Sequence, residues 1–383
     1  MVTANSKSGL TVLLVAGVAI TLVLQHRIQT RLREENESLR RQIAQLQAEN
    51  LRLSRREAVA KLMLRLPALH IQATLPSNVS PAVEMQFTNL YSRFTNEFPK
   101  LTAAQVEAYL KANRTNAASL LAAYRTSDDP ALLKEAMEKY PTDPEVAFEA
   151  VFDKNLSPAE QRQWLDAFKK SASDNALANY LSAYSYFNSG QADQGIQELA
   201  SSSGKQFNDY SLERAQGDQE AYLSAGYSAA EAERIADSWL MIPQDSQVKH
   251  LGVDLVDLAR AYRQSGDPAS AQSALQMAIS LGQSYASSPN DPILLNQLVG
   301  LAIQKTAFSE MDPGSSYGSE GQTVQDQINQ INQTRANLRD LVEQATPWLP
   351  TMSDQDILNY ENRRRAFGEV AALQWVVSKF GRQ

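Results

Sequence analysis

There is no cysteine anywhere in the 383 residues. Disulfides, thiolate metal sites and a cysteine nucleophile are therefore all excluded. Histidine is almost as scarce: the three present are His26, His70 and His250. No two of them stand four apart, and no HExxH occurs, so no zinc site is indicated. No GxSxG nucleophile elbow is present. Runs of alternating β-branched residues are missing too, which argues against a sheet. Basic residues are outnumbered, 36 Lys and Arg against 43 Asp and Glu, for a formal net charge of -7. That balance disfavours nucleic acid as a partner. Acids are spread along helical stretches as solvated faces require. Asp254, Asp257 and Arg260 read as ordinary surface pairing on one helix, and no catalytic residue, cofactor or metal ligand is assigned.

What the chain does have begins at Gly9. Gly9 to Gln25 carries no charge, and Leu10 to Leu24 reads LTVLLVAGVAITLVL. As a helix this run spans roughly 25 Å at 1.5 Å per residue. The hydrocarbon core of a bilayer is about 30 Å, and His26 and Arg27 could snorkel to cover the difference. A cleavable signal peptide is the competing reading. Its only small-residue cleavage site, near Gly17-Val18-Ala19, would cut the apolar run in half. We therefore expect residues 9–25 to be a single-pass transmembrane helix behind an N-terminal tail, residues 1–8, in a cell (inner) membrane. Arg27, Arg31 and Arg33 after the run, against Lys7 before it, favour a cytoplasmic C-terminal part. A short tail followed by an apolar run favours a signal anchor instead, and an exported, periplasmic C-terminal part is the expectation taken here.

A leucine heptad follows at Leu32, Leu39, Leu46 and Leu53. With these at d, the a positions are Asn36, Ile43 and Asn50. Asparagine at a costs stability but fixes register and favours two parallel strands. Two chains anchored in one membrane would enter such a coil in parallel. Residues 28–66 are therefore expected to form a dimeric coiled coil. Its basic flank is too sparse for a DNA-reading zipper.

Pro67, Pro76 and Pro81 mark residues 67–83 as a linker. Beyond it the pattern is helical throughout. Capping residues with an acid or glutamine three positions on open helices at Thr102-Gln105, Ser157-Glu160, Ser228-Glu231 and Ser353-Asp356. Asp312 to Gln322, DPGSSYGSEGQ, reads as a flexible surface loop. Residues 323–383 follow as C-terminal helices, in which Val324, Ile328, Ile331, Leu338 and Val342 keep helical spacing. A final helix is predicted from Asp354 to Phe380. The Arg363-Arg364-Arg365 run reads as a solvated face, or else as a dock for an acidic partner.

Residues 84–311 carry an internal repetition. Ala123-Tyr-Arg-Thr-Ser-Asp-Asp-Pro-Ala131 recurs as Ala261-Tyr-Arg-Gln-Ser-Gly-Asp-Pro-Ala269. In the latter copy Ala259, Tyr262, Gly266, Ala271, Leu275 and Ala278 fall at helix-turn-helix spacing. Ala183, Tyr186, Gly190, Gly195 and Leu199 repeat it. In the first copy Tyr124 and Met137 match, while Asp128 stands for the turn glycine and Leu133 for a small residue. The pattern resembles the tetratricopeptide repeat. That resemblance implies paired helices with small residues packed together and an aromatic filling the space between them. The copies are not separated by multiples of about 34 residues, that family's period. The expected fold is therefore all-α: an irregular α-solenoid of helix hairpins behind an anchor and a coil. The functional expectation is a non-catalytic scaffold or adaptor that binds a protein or peptide partner. A signalling or regulatory subunit and an envelope hydrolase on a helical scaffold are the alternatives.

Overall fold

The computed structural model describes residues 99–238, 242–286, 293–318 and 321–381. The expected tail, anchor (9–25), coil (28–66) and linker (67–83) lie outside the described residues, as do the first 15 residues of the expected 84–311 repeat region. Among the described residues there is no β-strand, and no helix is long and apolar enough to cross a membrane.

Fifteen α-helices follow one another among the described residues. They are α1 (Ala103–Ala112), α2 (Ala117–Ser127), α3 (Pro130–Lys139), α4 (Pro144–Val151) and α5 (Pro158–Ser171). Next come α6 (Ala176–Asn188), α7 (Ala192–Ser201), α8 (Ser211–Ser224), α9 (Ala229–Ser238) and α10 (Pro243–Gln264). The last five are α11 (Pro268–Ala286), α12 (Leu294–Phe308), α13 (Val324–Ala345), α14 (Asp354–Phe367) and α15 (Glu369–Phe380). Their starts are encoded locally. At Thr102 and Ser157 the hydroxyl accepts from the backbone N–H three residues on, and the Gln105 or Glu160 side chain accepts from the cap N–H in return. Ser228 and Glu231 make the same reciprocal pair, and the Ser353 hydroxyl accepts from the Asp356 N–H. Pro130, Pro144 and Pro158 each occupy the first turn, where no N–H is needed.

Sequence neighbours pair as antiparallel-type hairpins, and the three repeat copies form three of them: α2–α3, α6–α7 and α10–α11. Gly190 and Gly266 adopt φ of +73° and +81° at the turns, a conformation that favours glycine. In the first copy Asp128 takes the same left-handed conformation, φ 60°, which short polar side chains tolerate. Its carboxylate also accepts from Lys100 at 2.6 Å. In the α6–α7 hairpin, a Cβ added to Gly195 would sit 2.6 Å from the Phe187 ring and 3.2 Å from the Ala183 carbonyl. In α10–α11, Ala259, Tyr262, Ala271, Leu275 and Ala278 are all buried.

Other contacts join helices far apart in sequence. α8 turns back onto α1 and α2, α6 packs on α10, and α9 packs on α14. Three apolar cores result. One joins α1–α3 to Ala221 and Tyr222 of α8 and Ile235 of α9. A central one runs from Phe148 and Phe168 through α6, α10 and α11 to Phe308. The third gathers α13, α14 and α15 around Leu294 and Leu298 of α12. Helices α11 and α12 cross backbone to backbone. A Cβ on Gly300 would lie 2.4 Å from the Gly282 carbonyl, and one on Gly282 would lie 2.5 Å from the Gly300 carbonyl.

The single helix expected from Asp354 to Phe380 is two. Gly368, at φ +84°, breaks it, because a left-handed residue cannot continue a right-handed helix. In the loop at 312–322, Tyr317 is held by its N–H to the Gln322 carbonyl, 2.9 Å. Its ring meets Phe308 edge-on at 4.8 Å.

Candidate functional site

Among the described residues two clusters of arginines and acids are drawn into the interior, both built on the α8–α9 hairpin. In the first, Arg125 of α2 places Nε 2.8 Å from Asp218 of α8 and Nη1 2.9 Å from Glu149 of α4. Arg214, one turn before Asp218, donates from Nε to the same Glu149 oxygen at 3.0 Å, and its guanidinium lies over the Phe148 ring. Two cations thus face two carboxylates in an interior site. Burial alone would raise the Glu149 pKa, but its two guanidinium partners outweigh burial and hold it below the ordinary value. Asp218 is pushed up to about 6 by burial, against the pull of Arg125 and Arg214. Glu145, one turn before Glu149, is pushed up to about 7. Burial is the largest cause and Arg125 opposes it, while Asp143, Glu213 and Glu149 raise it further.

The second cluster pins α9 to α14. Arg364 donates to Asp237 and, at 2.6 Å, to Glu361. Arg365 donates to Glu233 and, at 3.0 Å, to Gln219 of α8. Glu233, Asp237 and Glu361 offer carboxylate oxygens within 4.8 Å of one another. A divalent ion could bridge such a spacing, but here guanidinium groups already supply the positive charge. The Glu361 pKa stands well above the carboxylate range. Burial is the main cause, followed by the charge of Asp237, and a hydrogen bond with Asp237 also favours the protonated form. This corrects the reading of Arg363-Arg364-Arg365 as one solvated face. Arg364 is buried, Arg365 is paired inward, and only Arg363 lies out, over the Trp375 ring at 5.3 Å. The helix periodicity of an arginine run does not reveal acids lying some 130 residues away in the chain.

A third polar node is buried between α8, α10 and α12. Asp209 Oδ2 accepts from Gln244 at 3.1 Å and from Asn296 at 2.9 Å, and Tyr285 donates to Asp245. Sequence reasoning passed over these residues, since a buried Gln or Asn has no periodic signature.

The residues singled out on sequence are placed as follows. Asp257 pairs with Arg260 at 2.7 Å, and Arg260 also reaches Glu310 at 2.6 Å. Asp254 is half-buried, and burial pushes its pKa up to about 6, opposed by His250. Tyr262 is buried in the core, while Tyr124 and Tyr186 are half-buried. Tyr186 lies under Arg162, whose guanidinium stands 4.2 Å from the ring centre. The dimerisation set, Leu32, Asn36, Leu39, Ile43, Leu46, Asn50 and Leu53, lies outside the described residues, with His26 and His70.

No protein-family model, no curated protein and no solved structure matches this chain. Fold and packing therefore define the class: an all-α protein of packed helix hairpins.

Proposed function

We propose that this protein is a membrane-anchored dimeric scaffold, whose irregular, tetratricopeptide-like stack of hairpins binds a protein or peptide partner. Residues 9–25 span the inner membrane, the heptad from Leu32 to Leu53 joins two chains, and the hairpin body stands on the exported side. The observation that carries this reading is the order of parts: an uncharged run, a heptad with Asn36 and Asn50 at a, then a body of helix hairpins. Stacked hairpins offer a broad surface suited to extended ligands. The buried carboxylates support a binding role over a hydrolytic one. Glu149, Asp218, Glu233, Asp237 and Glu361 are each engaged by an arginine, which leaves none of the five as a free acid or base.

The test uses the full chain. Cross-linking intact membranes, followed by gentle solubilisation, should recover the chain as a dimer bound to a second polypeptide in fixed ratio. Recovery as a bare homodimer would contradict the scaffold role, and recovery as a monomer would contradict the coil. Changing Leu39 and Leu46 together to Ala should halve the sedimenting protein mass in detergent while leaving the helical signal of the body intact.

A further inference from the structure

Phe367 is the most exposed large hydrophobic side chain among the described residues, at 73%. Arg363 stands one turn before it on α14, so the two share a face of that helix. The Arg363 guanidinium lies over the Trp375 ring of α15, 5.3 Å from its centre. From Trp375 the aromatic surface continues. Phe380 meets Trp375 edge-on at 6.3 Å, and Trp348, in the turn after α13, stacks on Phe380 at 6.2 Å. Lys379 places Nζ 5.2 Å from the ring centres of both Trp375 and Phe380. Five of these six side chains are linked by ring contacts and Phe367 by helical spacing, so they form one continuous patch. The three rings Trp348, Trp375 and Phe380 are half-buried and pack on the third apolar core from outside.

The charge of the patch is not balanced from within. Lys379 is paired with Asp356. Arg364 and Arg365 turn onto acids of their own. Arg363, exposed, is held by an indole instead, and makes no ion pair or hydrogen bond among the described residues. Its five N–H donors are therefore unspent. An arginine already steadied by a ring gives up little further freedom when it grips an anion, and its planar fork matches a carboxylate with two parallel bonds. Aromatic side chains and arginine are also the groups that concentrate at the centres of protein interfaces. Two of the chain's four tryptophans stand here, beside its most exposed phenylalanine among the described residues.

We propose that this patch recognises an acidic–aromatic segment of a partner protein. Arg363 takes an Asp or Glu carboxylate, and Phe367 on one side and the Trp348–Phe380 pair on the other take the apolar side chains that flank it. Two other occupants fit less well. Anionic lipid surfaces are recognised by clusters of several cations, and this patch offers one uncompensated charge. A second copy docked face to face would set the same positive patch against itself. The proposal rests on the partner-binding reading above, for which it names a surface and a chemistry, and not on the anchor or the coil.

The test uses the full chain in detergent and two fluorescein-labelled pools of short peptides. In one pool Asp or Glu alternates with Phe, Leu or Trp; in the other Lys replaces the acids. The acidic pool should bind at least about tenfold more tightly. Arg363→Glu alters an exposed position and should reverse that preference. Arg114→Glu, at an exposed arginine after α1, should leave it unchanged. Phe367→Ser should weaken binding of the acidic pool about tenfold. Equal binding of the two pools, or a preference that survives Arg363→Glu, would overturn the proposal. So would stronger competition from phosphatidylserine micelles than from the unlabelled acidic pool, which would assign the patch to lipid. A sedimenting mass halved by Arg363→Glu would overturn it in favour of a second copy. Recovery of the same cross-linked partner in equal yield with the parent and with Arg363→Glu would overturn this site and leave the scaffold reading standing.

Discussion

Glu145 illustrates how a single carboxyl sets a pH dependence. Its pKa of about 7 lies above the ordinary carboxylate value, so between about 4.5 and 7 the folded state holds a proton that the unfolded state has lost. Stability from this group therefore falls as pH rises through that window. Glu145→Gln removes the effect. We expect the variant to match the parent near pH 4.5 and to be more stable at pH 8 by about 1 to 3 kcal/mol. Urea melts at both pH values check it, and a difference independent of pH would refute the assignment. Arg364 gives the opposite case. Arg364→Met leaves the buried Glu361 and the half-buried Asp237 without their shared guanidinium, at an expected cost of about 3 to 5 kcal/mol. Protonation of Glu361, which its burial favours, then relieves part of the loss, so the deficit should shrink between pH 8 and pH 5. Paired melts of variant and parent would show this.

At the scale of elements, two glycines do different work. Gly266 has open space around the position of a Cβ, and only its left-handed φ opposes a side chain. Gly266→Ala should therefore cost about 1 kcal/mol. Gly300 faces the Gly282 carbonyl and the Ala286 backbone, so Gly300→Ala must push α11 and α12 apart. About 2 kcal/mol or more is expected. Thermal melts of the two variants rank them, and equal losses would mean that α11 and α12 do not cross as closely as described. The hairpin turns were readable in the sequence because Gly190 and Gly266 fall at fixed offsets from an aromatic and an alanine. Asp128 in the equivalent turn shows that the offset mattered more than the glycine. The Gly282–Gly300 crossing was not readable. A glycine inside a helix announces close approach but not the partner it approaches.

At the scale of the whole molecule, helix content and most helix starts follow from local chemistry. Thr102, Ser157, Ser228 and Ser353 each cap the helix that their spacing implied. Long-range closure does not follow in this way. The return of α8 to α1 and α2 rests on Arg125 meeting Asp218, 93 residues apart. The joining of α9 to α14 rests on Arg364 meeting Asp237, 127 residues apart. On sequence each of these side chains looks like a solvated one, since charge pairing across such distances leaves no period. The α8–α9 hairpin thus joins its apolar contacts, Ala221, Tyr222 and Ile235, to ion pairs on both sides, Arg214 and Asp218 facing one group of helices and Glu233 and Asp237 the other. The functional reading in turn depends on what precedes this body.

The most direct measurement is the partition of the full chain after cell lysis, with its first thirty residues intact, between sedimented membranes and the soluble fraction under an alkaline wash. The account predicts that the whole chain stays with the membranes and that a chain lacking residues 9–25 is released. Intact full-length protein in the soluble fraction would contradict it.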